Sequence, residues 1–147
     1  MTEGAQAFEM LRDGARHPAT AAWSVSWAGP RPAYTVRITC GSLDDGAPVE
    51  ATEDDAFEAL CTIRDRVEPD GWRLGVRGAL ADVWPSGMAR DQGGGLRVYR
   101  LTAAGVGELV ATFDPVDPAD VVTLAEQRAE TERLFDRIRR QTGPAGT

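Results

Sequence analysis

The chain has 147 residues, 42% of them hydrophobic and 27% charged, with 23 acidic side chains against 16 basic ones and a formal net charge of −7. That length suits one compact domain, the composition is that of a globular chain, and no apolar run reaches the roughly 18–20 residues of a membrane helix. A surplus of acid also argues against nucleic-acid binding, which needs basic groups to displace counterions from phosphates.

All 16 basic residues are arginine. A lysine-free chain points to a GC-rich bacterial genome, which speaks of origin and not of mechanism. The opening MTEGAQAFEMLRDG has no basic patch before an apolar stretch, so no secretory signal is expected and the chain reads as cytoplasmic. Cys40 and Cys61 then read as reduced thiols. With the single histidine, His17, they supply no zinc pattern, and neither a metal nor a cofactor is expected.

In chain order, residues 3–13 are predicted as a short helix, with Phe8 and Leu11 at i and i+3 and Gly14 near its end. Two strands follow. Trp23, Val25 and Trp27 alternate with Ser24 and Ser26; Tyr34, Val36, Ile38 and Cys40 alternate with Thr35, Arg37 and Thr39. Residues 28–32 (AGPRP) read as the hairpin connection between them. Trp23, Trp27 and Trp72 are expected as core anchors.

Thr52 is expected to cap a middle helix, with Asp55 at the capping-box position and acids in its first turn. Phe57, Leu60, Cys61, Arg64 and Val67 form its inward stripe, the stem of Arg64 lying along apolar surface. Pro69-Asp70-Gly71 ends it. Strands are predicted over 72–77, 96–101 and 109–113. A long C-terminal helix follows, capped by Asp117 with Pro118 at its first position and running to about Gln141. Its apolar stripe is Val121, Leu124, Ala125, Phe135 and Ile138. Residues 143–147 read as a flexible tail. The predicted fold is a single α+β domain over 1–147: a mainly antiparallel sheet of about five strands, with helices on one face and a long C-terminal helix.

Two constellations stand out as candidate sites. The first is the 81–95 connection, ADVWPSGMARDQGGG, which is longer than an ordinary hairpin loop. It combines Trp84, Ser86, Arg90, Asp91 and three glycines whose amides can approach an anion. It lacks the lysine and following helix of a phosphate loop, and a strand instead of a helix follows its glycines. The plainer reading is that these glycines supply positive φ. The run PSGMARDQGGG over 85–95, with PDGW before it and VYRL after it, resembles a set of small bacterial proteins to which no activity is assigned; it implies no reaction, cofactor or catalytic residue.

The second constellation is the polar face of the sheet, with Ser24, Ser26, Thr35, Arg37, Thr39, Arg73 and Arg77, and with Arg97 and Tyr99 as further members. Arginines gathered there would suit a carboxylate or phosphate; scattered, they would form ordinary ion pairs.

The acids are unevenly spread. Residues 44–70 carry ten acidic side chains and two arginines, a net −8. This segment reads either as a solvated surface or as a docking surface for a basic protein. No catalytic signature is present. The expected function is therefore a small acidic cytoplasmic protein-binding domain, with an immunity or antitoxin-like inhibitor of a basic partner as its specific form. Its contact residues would be Glu53, Asp54, Asp55 and Glu58 on the exposed side of the middle helix, with Trp84 as aromatic anchor. The alternative is an anionic small-molecule binder or small enzyme using Arg73, Arg77, Ser86, Arg90 and Asp91. A homodimer through the C-terminal helix, using the arginines of 137–140, is a third possibility.

Overall fold

The computed structural model describes residues 3–27, 29–85, 93–102 and 104–142. Its first element is a strand, β1 (Gly4–Arg12), where a helix was predicted. Phe8 and Leu11 fall on opposite faces of it. Phe8 and Met10 point into the core, each alternating with an exposed neighbour, while Leu11 is half-exposed on the other side. The deciding signal is Asp13-Gly14, with φ of 53° and 78°. Two positive-φ residues make the turn that matches the twist of paired strands, so the chain folds back at once into β2 (Ala15–Ser26).

Strand β3 (Ala33–Cys40) pairs with β2 in the expected hairpin, and Tyr34, Val36, Ile38 and Cys40 are buried as their alternation predicts. Pro18 stands beyond the end of β3, where β2 has a neighbour on one side only and a missing N–H is tolerated. Of the three tryptophans expected in the core, Trp72 is buried and Trp23 half-buried, but Trp27 lies just past β2 and is 67% exposed.

A strand absent from the sequence reading, β4 (Val49–Glu53), completes the edge. Thr52 therefore does not cap the helix; its hydroxyl meets that of Thr35 across the sheet at 2.7 Å. Helix α1 (Ala56–Val67) starts three residues later and is capped by Asp55, whose carboxylate accepts from the Glu58 N–H at 2.8 Å. All five residues of the predicted stripe are buried, and so are Ala56, Ala59 and Ile63.

After the 3₁₀ turn at 68–70, only Arg73–Leu74 of the predicted 72–77 strand joins the sheet, as β5 beside β1. Gly75 ends the pairing. A Cβ there would stand 2.6 Å from the Glu9 carbonyl and 2.7 Å from that of Val116, so the chain passes between two backbones where only glycine fits. The resulting antiparallel sheet has the order β4-β3-β2-β1-β5.

A second, three-stranded antiparallel sheet has the order β6-β7-β8, from β6 (Val83–Trp84), β7 (Arg97–Thr102) and β8 (Gly105–Ala111). The C-terminal helix, α2 (Leu124–Thr142), begins later than predicted. Asp117 and Pro118 instead open a 3₁₀ turn over Pro118–Asp120. Residues 121–123 then link this turn to α2, which Thr123 and Glu126 cap reciprocally. The Thr123 N–H donates to Glu126 at 2.9 Å, and the Glu126 N–H to the Thr123 hydroxyl at 3.1 Å. Its buried positions are Leu124, Gln127, Thr131 and Leu134; Ala125 is exposed, and Phe135 and Ile138 are half-buried.

The protein is thus an α+β domain built around α1. Ala56, Ala59, Leu60, Ile63 and Val67 join the apolar core with the large sheet, while Phe57 and Cys61 pack with Val83, Val98 and Leu124 of the smaller layer. Among the described residues no helix is long and apolar enough to cross a membrane.

Candidate functional site

Because α1 is covered from two sides, little of it meets solvent. Glu58, Thr62, Asp65 and Arg66 remain at least partly exposed, and the first three follow one another at helical spacing along one edge. Glu53, at the end of β4, turns toward this edge and accepts a hydrogen bond from the Thr62 hydroxyl at 2.9 Å. Asp54 is exposed at the helix entrance. From Asp54, just ahead of the helix, to Asp65 in its last turn, this acidic edge runs nearly the length of α1.

Asp55 does not belong to that surface. It is 5% exposed and committed to the cap, so the expectation that it faces a partner is corrected by its burial. Trp84 also differs from the loop anchor that was expected. It sits in β6 opposite Tyr99, half-buried, with its ring edge-on to Phe57 at 5.0 Å and 73°. It covers the first turn of α1 from the side of the smaller layer.

The glycines of the 81–95 connection meet the same helix end. Gly94 and Gly95 have φ of 62° and 71°. The Gly94 carbonyl accepts from the Ala56 N–H at 2.6 Å, and that of Gly95 from the buried Thr112 hydroxyl at 2.7 Å. A Cβ at Gly95 would stand 2.6 Å from both the Asp55 carboxylate and the Phe57 nitrogen. Gly94 thus brings a carbonyl, not an amide, to the helix, and with the Asp55 cap the first-turn N–H groups of Ala56 and Glu58 are already satisfied within the chain. Ser86, Arg90 and Asp91 lie outside the described residues.

The arginines of the polar sheet face do not converge. Arg37 on β3 pairs with Glu50 of β4 at 2.8 Å. Arg73 on β5, separated from β3 by two strands, donates to its neighbour Trp72's carbonyl at 2.9 Å. Arg77 stands outside the sheet, 3.9 Å from Asp114. Arg97 belongs to the other sheet. Ser24, Ser26, Thr35 and Thr39 keep to the side of the large sheet away from α1. On α2, the dimer arginines are engaged in part, Arg139 with Asp136 one turn earlier.

Sequence reading missed the polar group that fixes α1 to α2. Arg64 is fully buried, and each nitrogen of its guanidinium donates. Nε reaches Glu68 at 2.7 Å, Nη2 the Val122 carbonyl at 2.7 Å, and Nη1 the Gln127 side-chain oxygen. Gln127 in turn donates to the carbonyls of Gly78 and Val83 at 2.8 and 3.0 Å. The second Glu68 oxygen accepts from the Leu124 N–H at 2.8 Å, closing the start of α2. A charge desolvated this completely persists only because it is paired and hydrogen-bonded on every side. The i,i+4 spacing of Arg64 and Glu68 was the available signal.

Three carboxylates at least partly open to solvent have pKa values held below their ordinary range. Asp117 is lowered first by its hydrogen bond from Arg16 at 2.6 Å, Glu126 by the backbone and hydroxyl of Thr123, and Glu130 by Arg133. None of these lies on the acidic edge. No family model and no curated protein matches the chain.

Proposed function

We propose that this protein is an acidic protein-binding domain that recognises a basic partner along the exposed edge of α1, an inhibitor of the immunity or antitoxin type being its specific form. One observation carries the reading: Asp54 and Asp65 are exposed and have no ion-pair partner among the described residues, whereas the nearby Glu50 and Glu68 are paired to Arg37 and Arg64. Unpaired charge held on a rigid helix costs little to leave solvated and accelerates encounter with an oppositely charged surface. A helix packed into two layers also presents that charge without ordering cost on binding. Trp84, over the first turn, supplies an aromatic rim to the same end of the helix.

The dispersal of Arg37, Arg73 and Arg77 speaks against a shared anion site on the sheet face, and Gly94 turns a carbonyl to the first turn of α1. The test is recovery of tagged protein from its native cells, beside a variant carrying Asp54→Arg and Asp65→Arg. The reading expects a stoichiometric basic protein, released by high salt and missing from the variant's eluate. Equal recovery by both proteins, or no stoichiometric protein with either, would overturn it.

A further inference from the structure

A cleft of about 540 Å³ opens where the end of β1, the segment between β3 and β4, and the last turn of α1 meet. Its volume is within the range of small-molecule sites. Arg12, the last residue of β1, and Arg66, from the last turn of α1, both line it, and neither was singled out by the sequence.

Arg12 is held in place with no hydrogen bond from its guanidinium among the described residues. Its guanidinium lies 4.7 Å over the ring of Trp72, which is itself 2% exposed and braced edge-on by His17. A cation–π contact fixes the charge but consumes no N–H. The nearest acid, Asp13, is 3.9 Å away, beyond hydrogen-bond range. Arg66 donates one Nη1–H to the Glu50 carbonyl at 2.8 Å and makes no other hydrogen bond among the described residues. The Glu50 carboxylate, though it borders the cleft, is turned to Arg37. Asp70 is the other acid lining the cleft, so two guanidinium groups stand beside Asp70 and a Glu50 carboxylate already paired with Arg37. Leu43, Val49 and Val67 supply an apolar wall.

We infer that this cleft binds a small organic carboxylate, its anionic head shared by Arg12 and Arg66 and its apolar body laid against Leu43, Val49 and Val67. Guanidinium groups suit a planar carboxylate because they offer donors in parallel pairs. The apolar wall selects against a bare inorganic anion, which would leave it hydrated. The inference stands apart from the acidic edge, and its failure would leave that reading untouched.

The test is a titration of the ¹⁵N-labelled protein by two-dimensional NMR with three probes: phenylacetate, phenylacetamide and inorganic phosphate. Phenylacetate at millimolar levels should saturate a shift of the Trp72 indole N–H, while phenylacetamide and phosphate should not. Arg12→Gln and Arg66→Gln should each weaken it about tenfold, the loss of one charge-assisted hydrogen bond. Arg128→Gln, on the exposed face of α2, should leave it unchanged. The spectrum itself reports that each variant is folded. Absence of a saturable shift, an equal shift with phenylacetamide or phosphate, or unchanged affinity in both cleft variants would overturn the inference.

Discussion

The two sides of α1 treat charge in opposite ways. On one side Arg64 is fully buried, its guanidinium divided among Glu68, Gln127 and a backbone carbonyl. One residue further on, Asp65 stands in solvent with no counter-ion among the described residues. In the sequence the two are neighbours in a single charged run, and summed they cancel. In the fold they do not interact as a pair: the arginine holds the two layers together, and the aspartate belongs to a surface. Net charge over a segment therefore says little until burial has removed the charges that are already spent.

This contrast can be broken first at its buried side. Arg64→Ala would leave Glu68 and Gln127 without their partner in the core and should cost about 3–5 kcal/mol of stability, read by urea denaturation. Asp65→Ala, next to it, should stay within about 0.5 kcal/mol of wild type. Similar losses for the two would contradict the division.

A smaller effect is expected where the glycine run meets α1. Gly95→Ala combines a φ of 71° with a Cβ driven into the Asp55 cap, and should cost about 1–3 kcal/mol. If that run were a ligand loop free of structural duty, the change would be silent in stability. Next, Asp55→Ala should lose about 1 kcal/mol as the N-cap is removed, while Asp54→Ala changes stability hardly at all.

The smallest effect is in acid. Glu126 has a folded-state pKa below its unfolded value because Thr123 donates to it. Its contribution is present above the unfolded glutamate pKa of about 4.3 and is lost as pH falls through the lower folded value. Thr123→Ala should flatten the decline of stability with acid in that window, measured by thermal unfolding across pH. A steeper decline in the variant would reverse the sign and discredit the capping role.

How much of this was legible depended on how local the signal was. Strand β3 and the inward stripe of α1 were readable because their periods of two and 3.6 are written in consecutive residues. Strand β1 was misread because Phe8 and Leu11 suggested a helix, while the stronger signal was Asp13-Gly14, a hairpin turn. The late start of α2 follows from competition between two caps; Asp117 won only a 3₁₀ turn, and the Thr123–Glu126 box began the helix. The burial of Gln127 had no local signature at all, since its partners are Arg64 and two carbonyls far away in sequence. In the candidate site, Asp54 and Glu58 were readable as acids at a helix entrance. That Asp55 faced inward, and that Asp65 joined the edge, depended on two layers closing over α1. The near-continuous apolar content of Ala56 to Ile63 was the clue to that burial.

The most direct test of the account is the rate at which the protein recovered with its native partner associates with it, measured by stopped flow over a range of ionic strength. Wild type should associate fast at low salt and slow steeply as salt rises. The Asp54→Arg, Asp65→Arg variant, equally stable, should associate about tenfold more slowly with a flattened salt dependence. Identical rates and identical salt dependence in the two proteins would show that the exposed edge of α1 is a solvated surface and not a binding site.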